Sequence, residues 1–258
     1  MSGWKHILNK CRIWSRVGVS LMGGSIQREK RYIQKIPAIV WGRESKDAYI
    51  YVHGKMSRKE EAEEFAKIAE TKGYQTISFD LPEHGEREVG TYCFDIWNGK
   101  NDLSQIAEYA FGRWENLSLY ACSMGAHFSL HTYSEMNFQS CLFQSPILDM
   151  DYLIGRIFEW YHLSEEQLRQ QRVIQTPIHK LTWDYYQYVK EHPITKWEIP
   201  TSILYAGQDG LQDRGCMERF AEQFHCQLTV EENANHGFSE GNDPWIEQEW
   251  LKRKIKAR

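Results

Sequence analysis

The alternation of apolar runs with amphipathic stretches limits the fold of this chain more than any other feature. Residues 48–52 form a short β-branched and aromatic run that is typical of a buried strand. A helical pattern follows and stops at Gly73, and residues 74–79 form the next strand. Ser57 and Glu60 have the spacing of a capping box, which predicts that the helix starts there. This order predicts a right-handed crossover within a parallel sheet.

The same alternation covers most of the remaining chain. Two extended segments, 26–34 and 36–41, precede the crossover and predict an antiparallel pair at a sheet edge. Helices are predicted at 103–114, 124–133, 214–224 and 244–254, and strands at 117–121, 141–144, 202–206 and 227–230. We therefore predict an α/β protein whose mostly parallel central sheet is flanked by helices.

Residues 148–199 interrupt this alternation. Strand patterns vanish there, and helical stretches rich in aromatic and charged side chains replace them. Nine of the 47 residues from 151 to 197 are aromatic, against 26 of the other 211. The predicted organisation is therefore a core of residues 1–147 and 200–258 with a helical insertion at 148–199.

Composition excludes several classes of function. With 41% hydrophobic and 14% aromatic residues the chain can fill a core, which argues against disorder, and its net charge of −4 offers no support for nucleic-acid binding. The longest stretch without Asp, Glu, Lys or Arg, 116–134, is interrupted by serine and histidine, so no membrane span of ~20 apolar residues is predicted. The six scattered cysteines include no CxxC pair and predict reduced thiols in a cytoplasmic protein.

The first 24 residues have a distinct character, with four basic side chains and no acidic one. Their apolar residues recur at helical spacing between the charges, so no continuous signal-peptide core forms. We predict an N-terminal helical extension docked on the core. Contact with a membrane surface is the alternative.

Polar residues follow four predicted strands, and Ser123 is the most informative of them. It stands directly between an apolar strand and a helix, with Ala121 and Gly125 as small neighbours two residues away on either side. This is the nucleophile-elbow pattern, with alanine in place of the first glycine; a plain helix cap is the alternative. At this motif the chain resembles the α/β-hydrolase superfamily, and the resemblance extends over nearly everything after residue 25.

The resemblance implies a catalytic triad in the chain order serine, acid, histidine. Asp209 follows the predicted strand 202–206, and His236 lies in an Asn-His-Gly loop after strand 227–230. Their implied roles are to orient the base and to accept the Ser123 proton. Asp213 and Asp149 remain alternatives for the acid.

The resemblance also implies an oxyanion hole made of two backbone N–H groups. One belongs to Met124, after the serine, and the other to Lys55, in a His-Gly-x motif. His53 either orients this loop or packs at the strand end, and we also count it among the substrate-binding candidates. The turn at 80–85 resembles the Asp-x-Pro-Gly-His-Gly turn of this superfamily, with Glu83 where glycine is usual; this implies an architectural turn, and no catalytic role is assigned to it.

In this superfamily an insertion such as 148–199 commonly forms a cap over the active site. Aromatic side chains on a cap suit apolar or ring-bearing substrates. We therefore expect Trp160, Tyr161 and Tyr185 to bind substrate, a small molecule with an apolar or aromatic portion.

The sequence thus predicts a serine hydrolase resembling carboxylesterases. A peptidase of the aminopeptidase kind, holding a substrate amine with Glu159, Glu165 or Glu166, and a thioesterase are alternatives, as is a non-catalytic binding protein. No cofactor and no metal site is predicted, because the chain lacks HExxH, glycine-rich phosphate-loop and Cys/His cluster motifs. His127 and His131 have ligand spacing without a paired carboxylate. The sequence leaves the oligomeric state open.

Overall fold

A computed structural model describes residues 25–90 and 92–258, and the predicted N-terminal helical extension at 1–24 lies outside these residues. Eight strands form one sheet in the order β1-β2-β4-β3-β5-β6-β9-β10, and β7 pairs with β8. The strands are β1 Arg28–Ile33, β2 Ile36–Trp41, β3 Asp47–Val52, β4 Gln75–Phe79, β5 Asn116–Cys122, β6 Cys141–Gln144, β7 Val173–Gln175, β8 Lys180–Thr182, β9 Thr201–Ala206 and β10 Gln227–Glu231.

The described α-helices occupy most of the predicted helical stretches. They are α1 Glu63–Thr71, α2 Ile96–Phe111, α3 Met124–Tyr133, α4 Met150–Tyr161, α5 Glu165–Gln171, α6 Trp183–Glu191, α7 Arg214–Gln223 and α8 Asp243–Lys254. The strands from β3 to β10 in the large sheet pair in parallel, while β1 and β2 form the antiparallel edge. The predicted fold class and edge pair are therefore confirmed.

The centre of the sheet is buried because its strands carry apolar residues on both faces. All six residues of β2 and five of the six in β3 are buried. Helix α1 packs its apolar side against β3, where the Phe65 ring lies edge-on to Tyr49 at 5.2 Å between centroids. Burial on both faces explains why these strands read as continuous apolar runs.

The predicted capping box at Ser57 is wrong. The helix begins with a 3-10 turn, Lys59–Ala62, whose N-cap Arg58 makes no side-chain cap hydrogen bond. Instead, the Lys59 N–H donates to the buried carboxylate of Asp80 at 2.9 Å. The start of this helix is therefore held by a tertiary contact with the end of β4 and not by a local capping box.

Helix α2 begins seven residues before the predicted start at 103. Asp95 is its N-cap and accepts from the Asn98 N–H at 2.8 Å. After Ile96 and Trp97, residues 98–102 are polar or glycine, so the apolar periodicity of this part of the helix is weak. The aspartate cap was the available signal for the earlier start.

Residues Asp149–Thr195 form a compact unit distinct from 25–148 and Lys196–Arg258. Helices α4 and α6 contact one another within it, with the Phe158 and Tyr186 rings 5.8 Å apart. The unit also contains the antiparallel pair β7 and β8, so the expectation that strands vanish from this segment is wrong. Strands of three residues are too short to produce a readable alternation.

Candidate active site

Ser123 lies in a sharp turn between β5 and α3. Its backbone has φ 51° and ψ −120°, a conformation that non-glycine residues rarely adopt and that costs ~1–3 kcal/mol. The Ser123 carbonyl oxygen accepts from Ala126 N–H at 3.1 Å and Ile147 N–H at 3.2 Å, and these bonds help to hold the turn. The geometry is that of the predicted elbow.

The turn is so crowded that Gly125 leaves no space for a β-carbon. A β-carbon at Gly125 would meet the carbonyl oxygens of both Val52 and His53, with Val52 at 2.7 Å. On the other side, a β-carbon at Gly54 would lie 3.1 Å from that of Ser123. The loop after β3 therefore packs directly against the elbow, and the two glycines permit this approach.

Ser123, His236 and Asp209 form one hydrogen-bonded chain. The Ser123 Oγ lies 2.9 Å from His236 Nε2, and His236 Nδ1 lies 2.6 Å from Asp209 Oδ2. Ser123 is only 8% exposed, and the Asp209 side chain is fully buried. The structure therefore brings together three residues that are separated by up to 113 positions in the sequence.

The order of strands in the sheet explains why these three side chains lie close together. Asp209 and His236 follow the adjacent parallel strands β9 and β10, whose loops are joined by the bond from Gln208 N–H to the Ala234 carbonyl at 3.0 Å. The other Asp209 oxygen accepts from Leu211 N–H at 2.8 Å. Both carboxylate oxygens thus have donors, which fixes the carboxylate towards the imidazole.

The two alternative acids occupy other positions. Asp213 caps α7 and accepts from Cys216 N–H at 2.7 Å. Asp149 caps α4 and accepts from Tyr152 N–H at 2.9 Å. Of the three candidates, Asp209 is the one that contacts His236.

The electrostatics of His236 suit a general base. Burial lowers the pKa of His236, but the charge of Asp209 and the hydrogen bond to it outweigh burial and raise this pKa above 6.5. Asp209 therefore stabilises the imidazolium that forms when the ring accepts a proton. Its bond to Nδ1 also keeps Nε2 available to the Ser123 hydroxyl.

The two oxyanion-hole candidates adjoin the serine in different ways. Met124 is the first residue of α3, so its N–H lies at a helix N-terminus that favours negative charge. Lys55 follows Gly54, the residue packed against Ser123. Met124 and the neighbour of Lys55 thus adjoin Ser123, and the oxyanion-hole roles of Met124 and Lys55 stay predictions.

His53 connects two loops and is almost fully buried. Its Nδ1 donates to the Gly54 carbonyl at 2.7 Å, and its Nε2 accepts from Leu81 N–H at 3.1 Å. Burial, followed by the charges of His84 and Lys59, lowers its pKa to about 3. Because both ring nitrogens are occupied by backbone, these bonds favour the loop-orienting alternative over the substrate-binding assignment.

The three aromatic candidates lie in the unit Asp149–Thr195. Trp160 and Tyr161 are half-buried residues at the end of α4, and Tyr185 is buried in the first turn of α6. The Arg156 guanidinium stands over the Trp160 ring at 5.1 Å.

The acidic residues considered for amine binding have partners within the same unit. Glu159 pairs with Arg156 at 3.0 Å, and Glu166 pairs with Arg169 at 2.8 Å. Glu165 accepts from the Tyr186 hydroxyl at 2.8 Å.

Across residues 25–90 and 92–258, no group of three or more His, Cys, Asp or Glu side chains is arranged to hold a metal ion. None of the helices described here combines the length and apolar character needed to cross a membrane.

Comparison with known proteins gives similarity at the level of structure. No protein family matches the chain, and no curated protein matches it. Est1E from Butyrivibrio proteoclasticus, solved with ferulic acid, matches with a TM-score of 0.72 and 15% identity, covering 87% of this chain and 96% of its own. Alpha/beta hydrolase domain-containing protein 10 from mouse matches with a TM-score of 0.69 and 14% identity, covering 90% and 98%.

A further match is the thioesterase domain from the curacin biosynthetic pathway, with a TM-score of 0.58 and 12% identity over 88% of this chain and 99% of that one. At such identities the similarity shows the fold. The chain has the α/β-hydrolase fold, which confirms the fold that the resemblance implied.

Proposed function

We propose that this protein is a serine hydrolase that cleaves a small carboxylic ester through an acyl-enzyme on Ser123. The observation that carries the proposal is the hydrogen-bonded chain from Ser123 through His236 to Asp209. A binding protein needs no aligned nucleophile, base and acid, whereas acyl transfer needs all three. The thioesterase domain among the similar structures supports acyl transfer as the class of reaction.

In the proposed reaction, Ser123 Oγ attacks the ester carbonyl carbon while His236 Nε2 takes the hydroxyl proton. Asp209 stabilises the resulting imidazolium, and the N–H groups of Met124 and Lys55 stabilise the tetrahedral oxyanion. Collapse breaks the bond to the alcohol, which leaves with the proton from His236. Water, activated by the same imidazole, then hydrolyses the acyl-enzyme.

We further propose that the unit Asp149–Thr195 acts as a cap that selects the substrate. The chain enters it shortly after the carboxyl end of β6, at the edge of the sheet where ligands bind in this class of fold. Its aromatic content favours a substrate with an apolar or aromatic portion. Trp160, Tyr161 and Tyr185 are the proposed contacts.

A fluorophosphonate probe tests the nucleophile. The probe should modify Ser123 of the folded protein, and peptide mapping should find the phosphonate on that residue. Ser123→Ala should remain unlabelled and lose hydrolysis of p-nitrophenyl acetate. Absence of the adduct from folded wild-type protein, or full activity of Ser123→Ala, would refute the proposal.

Matched substrates separate the ester proposal from its alternatives. An ester, a thioester and an aminoacyl amide with the same acyl or aromatic group should be compared by kcat/KM. We expect the ester to be preferred over the amide. A preference for the thioester, consistent with the curacin thioesterase among the similar structures, would reassign the substrate class on the same triad.

A further inference from the structure

His84 lies outside the proposed triad, yet it contacts the loop that carries Lys55. The Met56 N–H donates to His84 Nε2 at 2.9 Å, and His84 Nδ1 lies 2.7 Å from the Pro82 carbonyl oxygen. A carbonyl oxygen can only accept, so Nδ1 carries the proton, and Nε2 faces a donor and must be bare. His84 is therefore neutral in this arrangement, with a fixed tautomer.

His53 holds the peptide on the other side of Lys55 in a similar way. Its Nδ1 donates to the Gly54 carbonyl oxygen at 2.7 Å. In a trans peptide, the Gly54 carbonyl and the Lys55 N–H lie in one plane and point in opposite directions. Fixing the carbonyl therefore directs the N–H. The His53 and His84 rings are 5.3 Å apart, so two imidazoles hold the peptides on either side of Lys55.

Met56 needs such support because its backbone is strained. Its φ is 65°, a left-handed conformation that costs a residue with a β-carbon ~1 kcal/mol or more. The bond from its N–H to His84 favours this conformation over relaxed ones. Without that acceptor the peptide between Lys55 and Met56 has less to hold its orientation.

The ring of His84 is itself held in place by its neighbour in sequence. The Glu83 carboxylate accepts from Gly90 N–H at 2.8 Å and from Phe94 N–H at 2.9 Å. These bonds tie Gly90 and Phe94 to the turn, and the Phe94 ring lies edge-on to His84 with centroids 4.7 Å apart. Glu83, which replaces the usual glycine of the family turn, thus helps to fix the imidazole.

We propose that His84 is a positioning residue for the hydrolytic reaction: by accepting the Met56 N–H, it keeps the Lys55 N–H directed at the developing oxyanion. The inference rests on the proposed function and concerns a residue that touches no reacting atom. It assigns a catalytic consequence to a turn that is otherwise architectural.

This role requires the neutral ring, since a proton on Nε2 would oppose the Met56 N–H. The charged or titratable groups facing His84 are His53 and Lys55 from the β3 loop and Asp80 and Glu83 from its own turn. Burial, together with Lys55, lowers the pKa of His84 below 6.5 despite the acceptor at Pro82 and the two carboxylates. The loop is therefore held at neutral pH and released as pH falls through that lowered pKa.

Two variants separate the hydrogen bond from packing. His84→Phe keeps a ring against Phe94 but removes both nitrogens, whereas His84→Gln places a side-chain oxygen within reach of the Met56 N–H. We expect His84→Phe to lower kcat about 10- to 100-fold with KM nearly unchanged, because a misdirected oxyanion donor weakens transition-state binding. His84→Gln should recover most of kcat.

The wild-type protein provides a readout that does not depend on whether a variant folds. Nitrogen NMR of the His84 ring should show the Nδ1-protonated tautomer at neutral pH, and the Lys55 and Met56 amide signals should shift with the His84 titration. If wild-type Ser123 reacts with the fluorophosphonate, full kcat in folded His84→Phe or amide signals indifferent to that titration would overturn this inference alone. Failure of wild-type Ser123 to react would overturn the proposed function, and this inference with it.

Discussion

A β-carbon on Gly125 would stand 2.7 Å from the carbonyl oxygen of Val52. Backbone lies on both sides of this contact, so neither partner can move aside as a flexible side chain would. The first turn of α3 and the end of β3 are therefore held closer than any residue other than glycine allows. This spacing also brings the loop after β3 against Ser123.

Gly125→Ala should consequently push the elbow away from the β3 loop. We expect a loss of about 1–3 kcal/mol in the free energy of unfolding from overpacking and at least about a tenfold fall in kcat/KM for a p-nitrophenyl ester. Urea denaturation and steady-state kinetics measure the two effects. Gly155→Ala is the matched control: nothing lies within 4 Å of its β-carbon position in α4, so stability should rise slightly. Equal changes in stability and kcat/KM in the two variants would show that the close approach at Gly125 is not required.

The pH dependence of activity should follow His236. The base must be neutral to take the Ser123 proton, and although burial lowers its pKa, Asp209 raises it above 6.5. Activity is therefore lost as pH falls through a value above 6.5. The acid limb of kcat/KM for an uncharged ester, measured from pH 5 to 9, should have its midpoint there.

Asp209→Asn should shift that limb and reduce the rate. The amide removes the charge that raises the pKa, so burial dominates and the midpoint moves below 6.5. We expect kcat to fall by about 10⁴-fold, since the tautomer and the imidazolium both lose their support. Asp213→Asn is the control, because asparagine also caps helices and Asp213 caps α7. Wild-type activity in Asp209→Asn with a large loss in Asp213→Asn would transfer the acid role to Asp213.

The proposed cap function predicts an effect on substrate preference. Trp160→Ala should raise KM for an aryl ester about tenfold while changing KM for an acetyl ester much less, because even one methylene's worth of apolar contact in a binding pocket contributes ~1–3 kcal/mol. Trp245→Ala, at a position 57% exposed on α8, provides the same substitution outside the unit. Equal changes for both esters in Trp160→Ala would speak against a contact with the aromatic group.

The triad residues of the candidate site could be predicted from the sequence because each of them follows the end of a predicted strand. Ser123, Asp209 and His236 each come after an apolar run. Because the carboxyl ends of parallel strands lie at one edge of the sheet, all three are expected at that edge. The choice between Asp209 and Asp213 could not be made from sequence, since both follow β9 within a few residues. The structure separates the two, because Asp213 caps α7 whereas Asp209 contacts His236.

Hydrogen bonds between residues far apart in the sequence could not be predicted from its local patterns. His84 reaches Met56 across 28 positions through a backbone N–H, and no periodicity marks such a bond. Asp80 similarly accepts the Lys59 N–H at the start of the first crossover helix from 21 positions away. A local motif indicates which backbone donors need an acceptor, whereas the tertiary fold determines which acceptor binds them.

A buried ion pair joins Lys59 to Asp80, the first residue of the turn at 80–85. Lys59 Nζ lies 2.7 Å from Asp80 Oδ2, with both side chains almost fully buried, and 2.9 Å from Glu86. Lys59→Met should cost about 3–5 kcal/mol in the free energy of unfolding, because it leaves the Asp80 carboxylate buried without its cation. Lys46→Met breaks an exposed pair with Glu115 and should cost less than about 1 kcal/mol.

Acid titration of stability distinguishes lost charge pairing from lost packing. The hydrogen bond from Lys59 and that from Tyr32 lower the pKa of Glu86 from 4.5 to about 2. A lowered carboxyl pKa adds stability above its unfolded value and loses it as pH falls towards the folded value. The difference between wild type and Lys59→Met should therefore shrink between pH 4.5 and about 2. A difference that stays constant through this range would attribute the effect to packing of the lysine stem.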